Sequence, residues 1–321
     1  MAFCFKRKES VPKAIRRLGC ERVEHALECL KHCRGGEAIH CARKDIKKMR
    51  ALLRLVRAEI SRKEFRLLTK PLWKAAKFLA APRDAHVKTK TLINLVGHFK
   101  GQLATGALRH FRSELRNAFD QEMMRFAKEK TANAVHRLLR RVGKELEQLE
   151  ISGKGWKALS PGVKTAYADG MRAYQRSCKN PSAENFHLWR KRAKELWYQV
   201  LLLRRVWPEQ MDAMAEELET LGENLGEDHD LVMLQATAGE MYAAGHLPEL
   251  KALIGLIDER QHELRSAATT IGARFYAEKP SAFCKRLAGY WRIWCREKSP
   301  STVSLKQLWR LNSASTQGSS K

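Results

Sequence analysis

IHCARKDIKKMRALLRLVRAEI, residues 39–60, divides into two faces when wound on an α-helix at roughly 100° per residue. His40, Arg43, Lys44, Lys47, Lys48, Arg50, Arg54 and Arg57 share one half of the wheel; Ile46, Met49, Leu52, Leu53, Val56 and Ile60 share the other. The apolar set recurs at helical period and is expected to face a core. Asp45 and Glu59 are the stretch's acidic residues. Like charges three or four residues apart cost roughly 0.2–0.5 kcal/mol per pair, so the basic face works against its own helix. An anion outside the helix would relieve that repulsion.

The whole chain leans the same way. Its 321 residues carry 61 Lys and Arg against 35 Asp and Glu, a formal charge of +26. A charge of that size gives affinity for polyanions, whether nucleic acid, anionic membrane or polyphosphate. A hydrophobic content of 44% suffices for a core, and the length suits one large domain or two of ordinary size.

Outward from residues 39–60, periodicity and breakers predict helices throughout. One is expected over 12–33, ended by Arg34-Gly35-Gly36, and the basic helix over 37–60. Another covers 62–79, and one follows Ala81-Pro82 with Asp84 as its cap; one long helix or two in series span 105–150. Ser152 to Gly155 (SGKG) marks a boundary. Helices are expected to resume over 161–178, 183–206, 208–225, 230–244, 247–277 and 281–297. No segment alternates at period 2, so no strand is expected. Residues 299–321 are polar and read as disordered. Acidic residues gather between Glu209 and Asp230, and that segment is expected to cover the outside of the second half.

The chain repeats itself. IHCARKDIKKMRALL at 39–53 is echoed by FHLWRKRAKELWYQV at 186–200, matching His40 with His187, Arg43 with Arg190, Lys44 with Lys191, and Lys47 with Lys194. Downstream, FLAAPRDAHV at 78–87 is echoed by NLGEDHDLVM at 224–233, matching Arg83 with His229 and Asp84 with Asp230. Two echoes in one order imply a duplicated helical unit: residues 1–151, then 152–298, with 299–321 as the tail. In the second copy His187, Arg190, Lys191, Lys194 and Arg205 share a face. Trp197, Tyr198 and Leu201 take the places of Arg50, Ala51 and Arg54. The first copy is therefore expected to be the stronger wall of any anion site.

The duplicated H-x-x-R-K-x-x-K helices and the duplicated Arg83-Asp84 and His229-Asp230 turns resemble the CHAD proteins, named for a conserved-histidine α-helical domain. The resemblance spans roughly residues 12–297 and looks like a stand-alone copy. It implies an all-α fold of two tandem four-helix bundles related by pseudo-twofold symmetry, together one domain. It also implies basic faces lining a groove or pore that binds inorganic polyphosphate. The chain departs from the pattern at Trp197, where Arg is common.

The binding residues expected on this reading are His40, Arg43, Lys44, Lys47, Lys48, Arg50, Arg54, His187, Arg190, Lys191 and Lys194. Arg17 on the first helix and the stripe Arg137, Arg140 and Arg141 are added to them. Arg grips phosphate oxygens in pairs and Lys supplies a mobile charge. Arg83, Asp84, His229 and Asp230 are read as structural turn residues that cap or buttress. No catalytic residue is expected, because phosphoryl transfer needs a metal-binding acidic cluster or a P-loop and neither motif occurs. The expected function is non-catalytic polyphosphate binding; the alternatives are a basic helical nucleic-acid binder and a metal-dependent polyphosphate or triphosphate hydrolase. Nucleic acid is a secondary partner, and the sequence identifies no protein partner.

His25, Cys29 and Cys33 stand at i, i+4 and i+8, with His32 nearby, a spacing that suits a metal. The reading preferred is cysteines packed inward on a helix, so no metal or cofactor is expected. Eight cysteines without a CxxC pair or disulfide spacing read as reduced. With no signal-like start and no apolar run near roughly 18 residues, the expectation is a cytoplasmic protein without membrane contact, at polyphosphate granules where these exist.

Overall fold

The structure, a computed structural model, describes residues 3–32, 35–102, 106, 108–245 and 248–297. It is all-α, with no strand among the described residues. The helices are α1 (Val11–His32), α2 (Gly35–Leu55), α3 (Arg62–Phe78), α4 (Ala80–His98), α5 (Arg109–Lys128) and α6 (Thr131–Glu147). After the SGKG stretch come α7 (Gly155–Lys179), α8 (Ala183–Leu202), α9 (Pro208–Gly245), α10 (Pro248–Phe275) and α11 (Pro280–Arg296). The tail expected to be disordered lies outside the described residues, as does Cys33.

Local chemistry explains the boundaries. Ser61 caps α3 by accepting from the Glu64 N–H at 3.1 Å, and Glu64 reaches back to the Ser61 N–H at 3.1 Å, satisfying two donors that a helix start leaves open. Asp84, expected as a cap, instead sits inside α4, which begins at Ala80. α3 and α4 meet at Leu79 because Pro82 has no N–H to give the Phe78 carbonyl and its ring crowds that oxygen. At the matching offset of the second copy stands Asp228, which has an N–H, and α9 runs unbroken for 38 residues. The break expected near residues 226–229 is therefore absent. α7 also begins earlier than expected, at Gly155, and carries Pro161 inside it.

α2 is central. All six residues of the expected apolar stripe are buried, although the helix ends at Leu55 and leaves Val56 and Ile60 beyond it; it packs against α1, α8, α3 and α7. The main core draws Leu18, Leu52, Leu72, Leu139, Tyr167 and Trp189 from both sides of the SGKG stretch. A second core joins the α4–α5 and α9–α10 hairpins through Leu95, Phe111, Leu115, Leu231, Leu234 and Leu253. Before α1, Phe5 is 1% exposed and its N–H donates to the Leu202 carbonyl at 2.9 Å. Antiparallel α1 and α2 bring Cys29 and Cys41, 12 residues apart in sequence, into a disulfide with Cα atoms 6.1 Å apart. This corrects the expectation of uniformly reduced cysteines: the packing of α1 against α2 makes neighbours of residues whose spacing carried no framework signature.

At the α2–α7 crossing, a Cβ on Gly162 would lie 2.0 Å from the Leu55 carbonyl oxygen. Backbone cannot rotate away as a side chain can. Gly162→Ala is therefore expected to destabilise the fold by about 2 kcal/mol through forced separation of the two helices. Urea unfolding checks this; a midpoint like that of the unsubstituted protein would show that the crossing is loose.

Candidate functional site

The pairing of α2 with α8 decides where the charges go. Each buries its apolar stripe, so the basic faces of both turn toward a shared concavity. Arg43 and Lys47 from α2, Arg190 and Lys194 from α8, and Arg83 at the start of α4 lie within each other's electrostatic reach. Lys44 approaches Lys194 and Arg50 approaches Lys191 in the same way. The matching residues of the two sequence echoes thus meet across one site.

Lys47 reports the crowding. The residue is exposed, yet protein atoms crowd around its ammonium. Loss of hydration, then repulsion from Arg190, Arg43, Lys194 and Arg83, brings its pKa down to about 7. A side chain that touches water but is walled in by cations belongs to a recess rather than an open surface. Arg43, Arg83, Lys191 and Lys194 are lowered from their ordinary values too, in each case first by burial.

Carboxylates and small residues complete the recess. Asp230 lies 3.9 Å from Arg190 and, with Asp84, within the field of Arg83 and Arg190. Burial raises both carboxyl pKa values, and the surrounding guanidinium groups oppose it. On α9, a Cβ at Gly222 would stand 2.7 Å from Lys194 Cε, and one at Gly226 3.7 Å from Arg190 Nε. Gly222 thus makes room for the Lys194 side chain, whereas a Cβ at Gly226 would make only ordinary contact with Arg190. Sequence reasoning passed over Gly222, although a small residue on a packed helix is a sign of close approach. The acidic segment was expected wholly outside. Glu209, Glu216 and Glu217 are exposed, but Glu219 and Glu223 act on Lys194 and Asp230 on Arg190, so one face of α9 edges the site.

His187 and His229 stack with ring centroids 3.9 Å apart, and the buried His187 Nδ1 has no hydrogen-bond partner. Burial, followed by the neighbouring cations, lowers His40 and His187 to about 4 and His229 to about 3. All three imidazoles are neutral near pH 7. Their pKa values lie below the unfolded value of 6.5, so acid protonates the unfolded chain before the folded one. Above that value they contribute nothing to pH dependence; as pH falls from 6.5 toward 4, their share of stability is lost. A melting temperature that drops over that interval, and drops less in His187→Asn, is the expected result.

The other expected cations have different neighbours. Arg54 pairs with Glu195 across the α2–α8 contact. Lys48 turns to Asp45 at 3.9 Å and to the Phe3 ring. Arg17 is held by Glu9 at 2.7 Å and Glu21 at 3.0 Å. Arg137, Arg140 and Arg141 are exposed on α6, which packs chiefly on α3 and α1. Arg57 donates to the Ile60 carbonyl at 2.8 Å. Trp197 is 7% exposed and Tyr198 4%; the Lys194 ammonium sits 4.5 Å above the Trp197 ring, a favourable seat for a cation.

Among solved structures, the CHAD domain from the plant Ricinus communis superposes with a TM-score of 0.66. It covers 87% of this chain and 96% of its own at 16% identity. PptA from Streptomyces chartreusis gives a TM-score of 0.61 over 82% and 98%, at 15% identity. These likenesses are of fold. No curated protein sequence matches. The CHAD domain family model matches residues 18–239, more than half of the chain, and the protein belongs to the CHAD domain family.

Proposed function

We propose that the protein binds inorganic polyphosphate without catalysing its breakdown. The observation that carries this reading is the meeting of Arg43 and Lys47 from α2 with Arg190 and Lys194 from α8 in one recess, within each other's electrostatic reach. A linear polyanion satisfies such a recess without sequence readout, because each phosphate presents oxygens that Arg holds in pairs and Lys neutralises. The resemblance to polyphosphate-binding CHAD proteins points the same way. Nucleic acid fits less well: Trp197 and Tyr198 are packed, and so do not offer faces for base stacking. Asp84 and Asp230 sit among guanidinium groups that neutralise them, an arrangement that suits buttressing better than metal-assisted hydrolysis.

Calorimetry with long-chain polyphosphate, DNA and RNA tests the reading. Polyphosphate is expected to bind most tightly, losing about 10²-fold in affinity between roughly 50 and 200 mM salt by counterion release. Equal or tighter binding of nucleic acid would replace the proposal, and phosphate release with Mg²⁺ or Mn²⁺ would make the protein an enzyme.

A further inference from the structure

Away from the basic recess, α1 and α2 bring four donor groups to one point. His25 and Cys29 stand one turn apart on α1, and Cys41 and Asp45 one turn apart on α2. One ligand atom from each lies within 4.8 Å of all the others. His25 Nδ1 is 2.5 Å from Asp45 Oδ2, 3.7 Å from Cys29 Sγ and 3.8 Å from Cys41 Sγ. We propose that with Cys29 and Cys41 reduced, these four residues bind one divalent transition-metal ion of the zinc class. The proposal is independent of the polyphosphate reading.

Two thiolates, an imidazole and a carboxylate form a mixed soft and borderline set of four, the number and kind that tetrahedral Zn²⁺ takes. The site is also supported from outside. Asp45 is 1% exposed, an expensive place for a carboxylate unless it is paired. Its Oδ1 is held by Arg22 at 3.3 Å, with Lys48 at 3.9 Å, which leaves Oδ2 aimed at the cluster. That is how an outer partner orients a ligating carboxylate. The charges agree: two thiolates and a carboxylate around a dication leave one negative charge, and Arg22 and Lys48 face it. His25 is exposed, so an ion has a way in.

The sequence showed only half of this. His25 and Cys29 are visible as an i, i+4 pair, but their partners are on the next helix rather than further along the same one. The disulfide and the metal site use the same two sulfurs and exclude each other. With hydrogen peroxide as oxidant, the two thiolates give two electrons and form the S–S bond while both metal–sulfur bonds break. The peroxide O–O bond takes the electrons and two protons, two waters leave, and the ion passes to solvent.

Titrating the reduced full-length chain with Co²⁺ under anaerobic conditions tests the site. The expected result is one ion per chain, intense visible bands of tetrahedral cobalt, a sulfur-to-cobalt charge-transfer band, and displacement by Zn²⁺. Cys41→Ser should abolish the charge-transfer intensity of that sulfur. His25→Ala, at an exposed position that leaves packing alone, should weaken binding at least about 10-fold. Cys178→Ser, at an exposed free cysteine, should change nothing. Peroxide-treated protein should lose two titratable thiols and the cobalt spectrum together. A weak octahedral spectrum, a spectrum unchanged in both Cys41→Ser and His25→Ala, or undiminished cobalt bands in the disulfide form would overturn the proposal.

Discussion

Replacing Arg43, Lys44 and Lys47 together by alanine is expected to weaken polyphosphate binding by about 10³-fold while leaving the melting temperature unchanged or higher. Each charged hydrogen bond contributes about 1.5 kcal/mol, and three of them make roughly three decades in affinity. Stability should hold because the three side chains leave the apolar stripe of α2 untouched. Lys47 in particular is exposed and repelled by Arg190, Arg43 and Lys194. Its removal relieves repulsion and offsets loss of the 3.0 Å bond from Arg43 to the Ala76 carbonyl. Calorimetry and thermal melts on the same preparations check both halves. A melting temperature lowered as far as that of Gly162→Ala would make the three residues structural.

Arg190→Ala alone is expected to weaken binding by about 10²-fold, more than loss of one charged hydrogen bond accounts for. The excess comes from what Arg190 covers. It stands 3.9 Å from Asp230 and acts on Asp84 as well, so its loss removes a cation and exposes two carboxylates to the polyanion. Adding Asp230→Asn should recover part of the affinity, and the double-mutant cycle measures that coupling. Additive losses would show that the carboxylates lie outside the ligand's field.

That second expectation gives one residue of the second copy more weight than a count of charges does; by that count the first copy looked stronger, because Trp197, Tyr198 and Leu201 interrupt the second. Counting charges along one helix treats every cation as available. In the fold, Arg54 is paired with Glu195 and Lys48 faces Asp45, while Arg190 sits among groups from both copies. The helical class, the apolar stripe of α2 and the family were legible because periodicity and a repeated motif are local properties. Ion pairs between residues 141 apart, such as Arg54 and Glu195, leave no local pattern. The same limit hid Cys41 and Asp45 from His25 and Cys29. The continuity of α9 was missed for another reason: Gly226 stands at the expected break, but a glycine inside a helix costs only about 1 kcal/mol and packing overrides it.

The join between α3 and α4 also bears on the entropy of binding. A helix that stops leaves carbonyls without partners, and the Ala76 oxygen at this end takes a hydrogen bond from Arg43 Nη1. A free arginine gives up about 2 kcal/mol of rotamer freedom when it is fixed. Arg43 has surrendered part of that on folding, so on the proposed reading it would meet the anion already aimed, with N–H groups still to offer. Unbroken α9 presents no such carbonyl, and Arg190 is steadied by the Asp230 carboxylate instead. A single proline in one half of the chain therefore separates the settings of two arginines: one is preorganised by a neutral dipole, the other is held by a charge that a bound polyanion would have to outcompete.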